Sequence, residues 1–457
     1  MTDLDALSRR PAAEIGRALA AGEAEPVVLA EHYLTKIEQQ SSAIFLAVTR
    51  GRALKEAEAS AARLKAGRAL SVLDGVPIAW KDLFDFEGET TTGGSDYYRH
   101  AEPAAADATT VANASAAGMV TLGKLNLTEF AYSGLGLNPH FGTPQNPHDD
   151  RVARVPGGSS SGSGAAVAAG LAPCTIGTDT GGSVRIPASF NGLVGYKSSE
   201  GRIDRTGVFL LSRTHDTVGP LGRSVEDCIL LDRALRGAAV ATVAPGDLSG
   251  QRLIVPDAVV LDDLDDAVAR NFESALRALE RAGMRIETGL SDVISEAATL
   301  IAENGTIVGA EAYAQHQVLV DGPDCPRIDS RVVDRIMIGR AMSETAVDTL
   351  RRGRARLIKT IAGVEDCLIA MPTTPMTAPE IAPLEADNAL FHRVNLKTLR
   401  NTSLGNFLDL PGLTLPNGSD ATGLPTSLLI SVPGGQDERL FRLGLAIEAV
   451  LAQAGVR

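Results

Sequence analysis

Two stretches, PGGSSSGSGAA at 156–166 and GTDTGGSVRIPA at 177–188, decide how the rest of the chain is read. Small residues let backbone approach backbone or a ligand closely. A flexible linker has the same composition. Here both stretches run into ordered-looking segments, a small-residue helix at Ser163–Leu171 and a strand at Cys174–Ile176, and the second carries Asp179, Arg185 and Pro187 in a fixed arrangement. Gly158-Ser159-Ser160-Ser161-Gly162 matches the G-x-S-x-G pattern of serine esterases. That elbow needs a strand before it and identifiable histidine and acid partners after it. Loop residues precede it, and the pattern singles out none of His215, His316 or His392. No G-x-x-x-x-G-K-[ST] occurs, and no dinucleotide-type G-x-G-x-x-G opens a helix after a strand, so the glycines do not argue for ATP or NAD.

What remains is serine chemistry without histidine. A hydroxyl is a weak nucleophile until a base takes its proton. A lysine serves as that base only when neutral, and burial favours the neutral form. Lys81 closes the apolar run Gly75-Val76-Pro77-Ile78-Ala79-Trp80, which reads as a short buried strand. From the residues alone, a lysine at a strand end reads first as a surface or structural group.

Outward from these stretches, helical spacing marks Leu4–Ala20, Pro26–Gln39 and Arg52–Ala66, with Pro26 suited to a first helical position. Ala104–Ala117 reads as helix and Met119–Leu122 as strand, while residues 130–160 read as ordered loops. Strand, helix and strand follow at Arg252–Pro256, Ala267–Ala282 and Met284–Glu287. Residues 290–360 read as mainly helical, with a loop at Asp321–Cys325. Strand-like pieces at Cys367–Met371, Gly412–Pro416 and Thr426–Ile430 precede a terminal helix at Asp437–Ala454. Helices alternating with short apolar strands indicate an α/β protein. No linker divides the chain, so 1–457 is expected to be one unit, with an N-terminal helical region at 1–70 and a helical annex at 290–360.

The chain has 457 residues, 44% hydrophobic and 22% charged, with a net charge of −13. Disorder throughout is excluded, and the acidic balance with no basic tract argues against nucleic acid. Cys174, Cys228, Cys325 and Cys367 form no CxxC pair, and the 7 histidines show no ligand spacing, so neither a disulfide framework nor a metal site is expected. No signal-like start and no long apolar run is present, which makes cytoplasm, without membrane contact, the expectation.

The chain resembles the amidase signature family, serine hydrolases with a serine, cis-serine and lysine triad. The resemblance rests on GVPIAWKDLFD at 75–85, GKLNLTEFA at 123–131, GTPQNPHD at 142–149, PGGSSSGSGAAVAAG at 156–170 and GTDTGGSVRIPASFNGLVGYKSSEGR at 177–202. It continues through HDTVGPLGRSVED at 215–227, MPTTPMTAP at 371–379, LPGLTLPNG at 410–418 and GLPTSLLI at 423–430. It implies a large mixed central β-sheet covered by helices on both faces. By position it makes Ser183 the nucleophile, Ser159 the bridging serine after a cis peptide bond, and Lys81 the base. Backbone N–H groups of Thr180, Gly181, Gly182 and Ser183 become the oxyanion hole. Asp179, Arg185, Ser160, Ser161 and Ser163 become supports of the loop. The implied activity is hydrolysis of a small organic carboxamide through an acyl-serine intermediate, releasing ammonia or an amine, with no cofactor. A homodimer is expected.

The family also holds the glutaminase subunit of a tRNA-dependent amidotransferase, which is one alternative; a partner-dependent binding subunit is another. The glutaminase's R-x-x-x-G element is present at Arg335–Gly339, but no tyrosine cluster follows it. The substrate pocket is expected to draw on Tyr132–Asn138, on the segment near Phe209 and Leu210, and on the later helices. Trp80 and Phe130 are expected to pack, and His215 to be structural.

Overall fold

A computed structural model describes residues 3–40 and 43–455. Its centre is an 11-stranded mixed sheet. In chain order the strands are β1 Phe45–Val48, β2 Pro77–Lys81, β3 Val120–Leu125, β4 Thr175–Asp179, β5 Val194–Lys197 and β6 Thr217–Gly222, then β7 Arg252–Val255, β8 Arg285–Thr288, β9 Ile369–Pro372, β10 Gly412–Ser419 and β11 Pro425–Ser431. They lie in the order β1-β3-β2-β4-β6-β5-β10-β11-β9-β7-β8. Pairing is parallel for β2 with β3 and β4, and for β7 with β8 and β9; the other neighbours run antiparallel.

Every residue of β2, β3, β4, β5, β6 and β11 is buried. A strand buried at successive positions is covered on both sides, because successive side chains point to opposite faces. The cover is helical, and its largest apolar cluster joins the N-terminal helices to β2 and β3. Among the described residues no helix is long and apolar enough to cross a membrane.

Several segments differ from expectation. Leu4–Ala20 is two helices, Leu4–Ser8 and Ala12–Ala20. Pro11 breaks the run, since it has no N–H to give and disfavours helical backbone at Arg10. The helix expected at Ala104–Ala117 begins at Thr109. Four helices, Ser291–Asn304, Ile307–Val320, Ser330–Arg340 and Glu344–Ala362, fill the 290–360 region. The helix Asn388–Phe407 has no counterpart in the sequence reading, and it proves central to the site.

Candidate active site

Lys81 is the last residue of β2. Beside it in β4, Ala79 pairs with Thr175 and Trp80 with Ile176. Continued one step, this parallel register sets Lys81 beside Gly177, with Thr178 the next residue of β4. Lys81 Nζ lies 2.7 Å from Ser159 Oγ and 2.9 Å from Thr178 Oγ1. The lysine is fully buried. Burial brings it down to about 7, against an opposing pull from Asp216 and then Asp179. Trp80 is buried against Phe84 and Phe86, and so is a packing residue.

Ser159 is delivered by the first glycine loop, and the Gly158–Ser159 peptide is cis. A Cβ on Gly158 would stand 2.5 Å from Gly136 N and 2.8 Å from Ser133 O, so only glycine fits. Ser160 N donates to Ser183 O at 3.3 Å and Ser160 Oγ to Thr178 O at 3.4 Å, tying the two loops together. Ser161 and Ser163 depart from the hydrogen-bonding part expected of them. Their hydroxyls are buried with no acceptor among the described residues. Their backbones do the bonding instead: Ser161 N donates to Ser159 O at 2.8 Å, and Ser163 O accepts from Thr175 Oγ1 at 3.1 Å.

The second loop is built around Asp179, at the end of β4. Its carboxylate accepts from the N–H groups of Gly182, Val184 and Arg185 and from the Arg185 guanidinium. Asn406 Nδ2 adds a bond at 2.9 Å. Burial alone would raise the carboxyl pKa; Arg185, then Asn406 and Lys197, outweigh it and hold Asp179 well below the usual carboxylate range. Arg185 in turn donates to Thr402 O at 2.9 Å and Asn406 Oδ1 at 2.6 Å. Thr402 Oγ1 donates to Gly181 O at 2.7 Å. The helix Asn388–Phe407 therefore fixes the loop from outside, a role the sequence reading missed. Arg185 is fully buried in this network and does not reach the cavity.

Gly182 differs from its expected role. Its N–H is given to Asp179 Oδ1 at 2.9 Å. Its φ of +129° and a virtual Cβ 2.2 Å from Thr402 Oγ1 explain why it is glycine. The N–H groups of Thr180, Gly181 and Ser183 have no acceptor among the described residues. Ser183 Oγ likewise makes no hydrogen bond among the described residues, to Ser159 or to any other group.

Ser183, Thr180 and Gly181 line a cavity of about 170 Å³. Tyr132 and Ser133 form one wall, as the sequence suggested. From the segment near Phe209 and Leu210 it is Leu211 that lines the cavity. Phe209 instead packs with Phe130, Tyr98 and His316. The remaining walls come from Ile301, Thr306–Val308, Leu396, Leu399, Ser403 and Phe407. His215 also lines the cavity; burial, with Arg354 and Lys197 nearby, brings it down to about 3 and keeps it neutral.

Arg335 completes the wall. Its guanidinium lies over the Tyr132 ring, 4.5 Å from the centroid. Its Nε is buried with no acceptor among the described residues, and burial lowers its pKa. Thr306 to Val308, at the start of the helix Ile307–Val320, face the same space.

A family profile described as Amidase matches residues 28–441. The 2-amino-5-chloromuconic acid deaminase of Comamonas testosteroni is 34% identical, over 88% of this chain and 87% of its own. A glutamyl-tRNA(Gln) amidotransferase subunit of Ralstonia nicotianae is 34% identical, over 94% of this chain and 95% of its own. A solved amidase structure superposes with a TM-score of 0.83 at 28% identity, covering 96% of this chain and 99% of the other.

Proposed function

The chain belongs to the amidase family and is an amidase-signature hydrolase of carboxamide C–N bonds; from that premise we propose that Ser183, Ser159 and Lys81 carry the reaction on a small amide whose acyl part bears a carboxylate. Ser183 Oγ attacks the carbonyl carbon. Its proton passes to Ser159, whose own proton passes to neutral Lys81. The oxygen of the tetrahedral intermediate takes the free N–H groups of Thr180, Gly181 and Ser183. Lys81 then returns a proton through Ser159 to the departing nitrogen, and water releases the acid from the acyl-serine. The observation that carries this reading is the buried Lys81, brought down to about 7 and in contact with Ser159, beside a serine that opens into a cavity.

The carboxylate assignment rests on Arg335. A half-buried guanidinium whose Nε is buried and which has no ion pair among the described residues is costly unless a ligand supplies the anion. The first turn of the helix Ile307–Val320 adds N–H groups at its positive end. The apolar walls suit a short hydrocarbon segment between the anion and the amide.

A panel of amides tests both parts, with ammonia or amine release read by mass spectrometry. Aliphatic, aryl, malonamide, indoleacetamide and urea-derived amides are compared in neutral and carboxylate-bearing forms, with S183A in parallel. The expected result is turnover confined to carboxylate-bearing members and absent in S183A. Full activity in S183A overturns the nucleophile, and equal turnover of neutral and charged pairs overturns the carboxylate assignment. The same Arg335 favours one second reading, glutamine hydrolysis within an amidotransferase. Glutamine in the panel separates the two.

A further inference from the structure

The last two residues of the loop before β6 and the first residue of β6 join three parts of the site. His215 faces the cavity. Asp216 Oδ1 accepts from Thr180 Oγ1 at 2.6 Å. Thr217 Oγ1 donates to Asp179 O at 3.0 Å. The other Asp216 oxygen accepts from Leu211 N at 2.7 Å, and Leu211 is itself a cavity wall. Arg205 ties the loop from outside, donating to Asp216 O at 2.9 Å and to Arg213 O at 3.0 Å. Asp216 is 3% exposed.

Its charge has a different fate from that of Asp179. Asp179 is met by the Arg185 guanidinium at 2.9 Å. The side-chain partners of Asp216 are a hydroxyl and backbone amides, which orient an anion without cancelling it. Burial raises the Asp216 pKa, and the bonds from Thr180, Leu211 and Ser212 oppose that rise. The charged groups acting on Lys81 are Asp216 and Asp179, and those facing Asp216 include Arg205, engaged with the loop carbonyls. His215, adjacent in sequence, is neutral. Across β2, Lys124 and Asp82 pair with each other at 3.0 Å.

We propose that Asp216 is a positioning residue for the reaction: it fixes Thr180 at the mouth of the oxyanion site and places its uncancelled negative charge where Lys81 becomes an ammonium. The inference rests on the reading of Lys81 as base. When the Ser183 proton arrives on Lys81, a positive charge forms in a buried site. Among the described residues the Asp216 carboxylate has no ion pair, whereas that of Asp179 is paired with Arg185, so Asp216 is the anion left to stabilise that state. The same charge keeps the lysine from falling still further below its ordinary range.

Labelling by an alkyl fluorophosphonate, followed from pH 5 to 9, tests this without a known substrate. A Ser183 Oγ–P bond forms as the P–F bond breaks, fluoride leaves, and the serine proton ends on Lys81. Wild-type protein is expected to label at Ser183 with a rate that rises through pH 7, and S183A not to label. A wild-type protein that is not labelled at Ser183 overturns the serine reading itself. In D216N the amide still accepts from Thr180, but the charge is gone. Its midpoint is expected about one pH unit lower, so that well below both midpoints its rate relative to its own plateau is about tenfold higher. T180V removes the tether and keeps the charge; its plateau is expected to fall about tenfold or more with the midpoint unchanged. A residue that only supports the fold does not move the midpoint. An unchanged midpoint in folded D216N overturns the electrostatic role, and a wild-type plateau in T180V overturns the tether. Should D216N not fold, T180V still decides that second half, and a midpoint shift in T180V would assign the charge effect elsewhere.

Discussion

Replacing Asp179 with asparagine removes the charge that organises the Ser183 loop while leaving a side chain of the same shape. Asp179 and Arg185 are both fully buried and paired at 2.9 Å. Breaking such a pair from one side leaves an uncompensated buried guanidinium and costs about 3–5 kcal/mol. The amide also cannot accept on both sides, so bonds from Gly182, Val184 or Arg185 N–H are lost as well. Against a total stability of about 5–15 kcal/mol, that is a large fraction. Urea or guanidinium unfolding measures it. D179N/R185M is the control: with neither charge present, it is expected to be less destabilised than D179N alone. The sign with pH follows from the depressed folded pKa. The contribution is present above the unfolded value of 3.8 and is lost as pH falls below it. D179N within about 0.5 kcal/mol of wild type, or a double variant less stable than D179N, refutes the claim that this pair holds the loop.

Lys81→Met is expected to stabilise the protein while abolishing turnover. Keeping a lysine at about 7 instead of 10.5 costs up to about 5 kcal/mol at and below neutrality, and the cost vanishes above 10.5. The gain in unfolding free energy should therefore shrink as pH rises from 7 to 10, and a pH-independent gain contradicts the shift. Gly182→Ala places a Cβ 2.2 Å from Thr402 Oγ1 at a φ of +129°. It should lower stability by more than about 1 kcal/mol and remove nearly all activity, checked by thermal unfolding and amide turnover. Arg335→Met should weaken kcat/KM for carboxylate-bearing amides by roughly ten- to a hundredfold, from about 1.5–3 kcal/mol for a charged hydrogen bond, and leave neutral amides unaffected. Equal losses on both classes count against an anion site.

The half of the sheet around Lys81 and Ser183 was legible because its signals are local. An apolar run ending in a lysine gave β2, and the two glycine loops gave the turns that carry Ser159 and Ser183. The bonding of Asp179 and Arg185 to the second loop was implied by the resemblance to the amidase signature family, which also singled out Lys81, Ser159 and Ser183. The helix Asn388–Phe407 was not legible. Its buried positions include Asn395, Thr398, Asn401, Thr402 and Asn406, so the face turned inward is polar and hydrophobic periodicity does not mark it. Two of them, Thr402 and Asn406, bond the Asp179–Arg185 pair and the Gly181 carbonyl, while Asn395 bonds Gly134 N and Asn401 bonds Val260 O and Pro372 O. β6, TVGPLG, was hidden for a related reason, since Gly and Pro argue against a strand. Pro220 stands opposite Ile176 of β4, while pairing with β5 is confined to Leu221 and Gly222. The segment near Phe209 and Leu210 was legible as part of the pocket, but not that Leu211 is its lining residue, because in a loop no periodicity fixes which side chain points inward.

The pH dependence of kcat/KM on an accepted amide, for wild type and K81A, tests the central claim most directly. On the proposed relay Lys81 works as the neutral amine, so wild-type activity should fall on the acid side with a midpoint near 7. K81A should lose about two to four orders of magnitude at pH 8 and show no such inflection. Wild-type rates in K81A at pH 8, or an acid limb that survives the substitution unchanged, would contradict the assignment of Lys81 as the base.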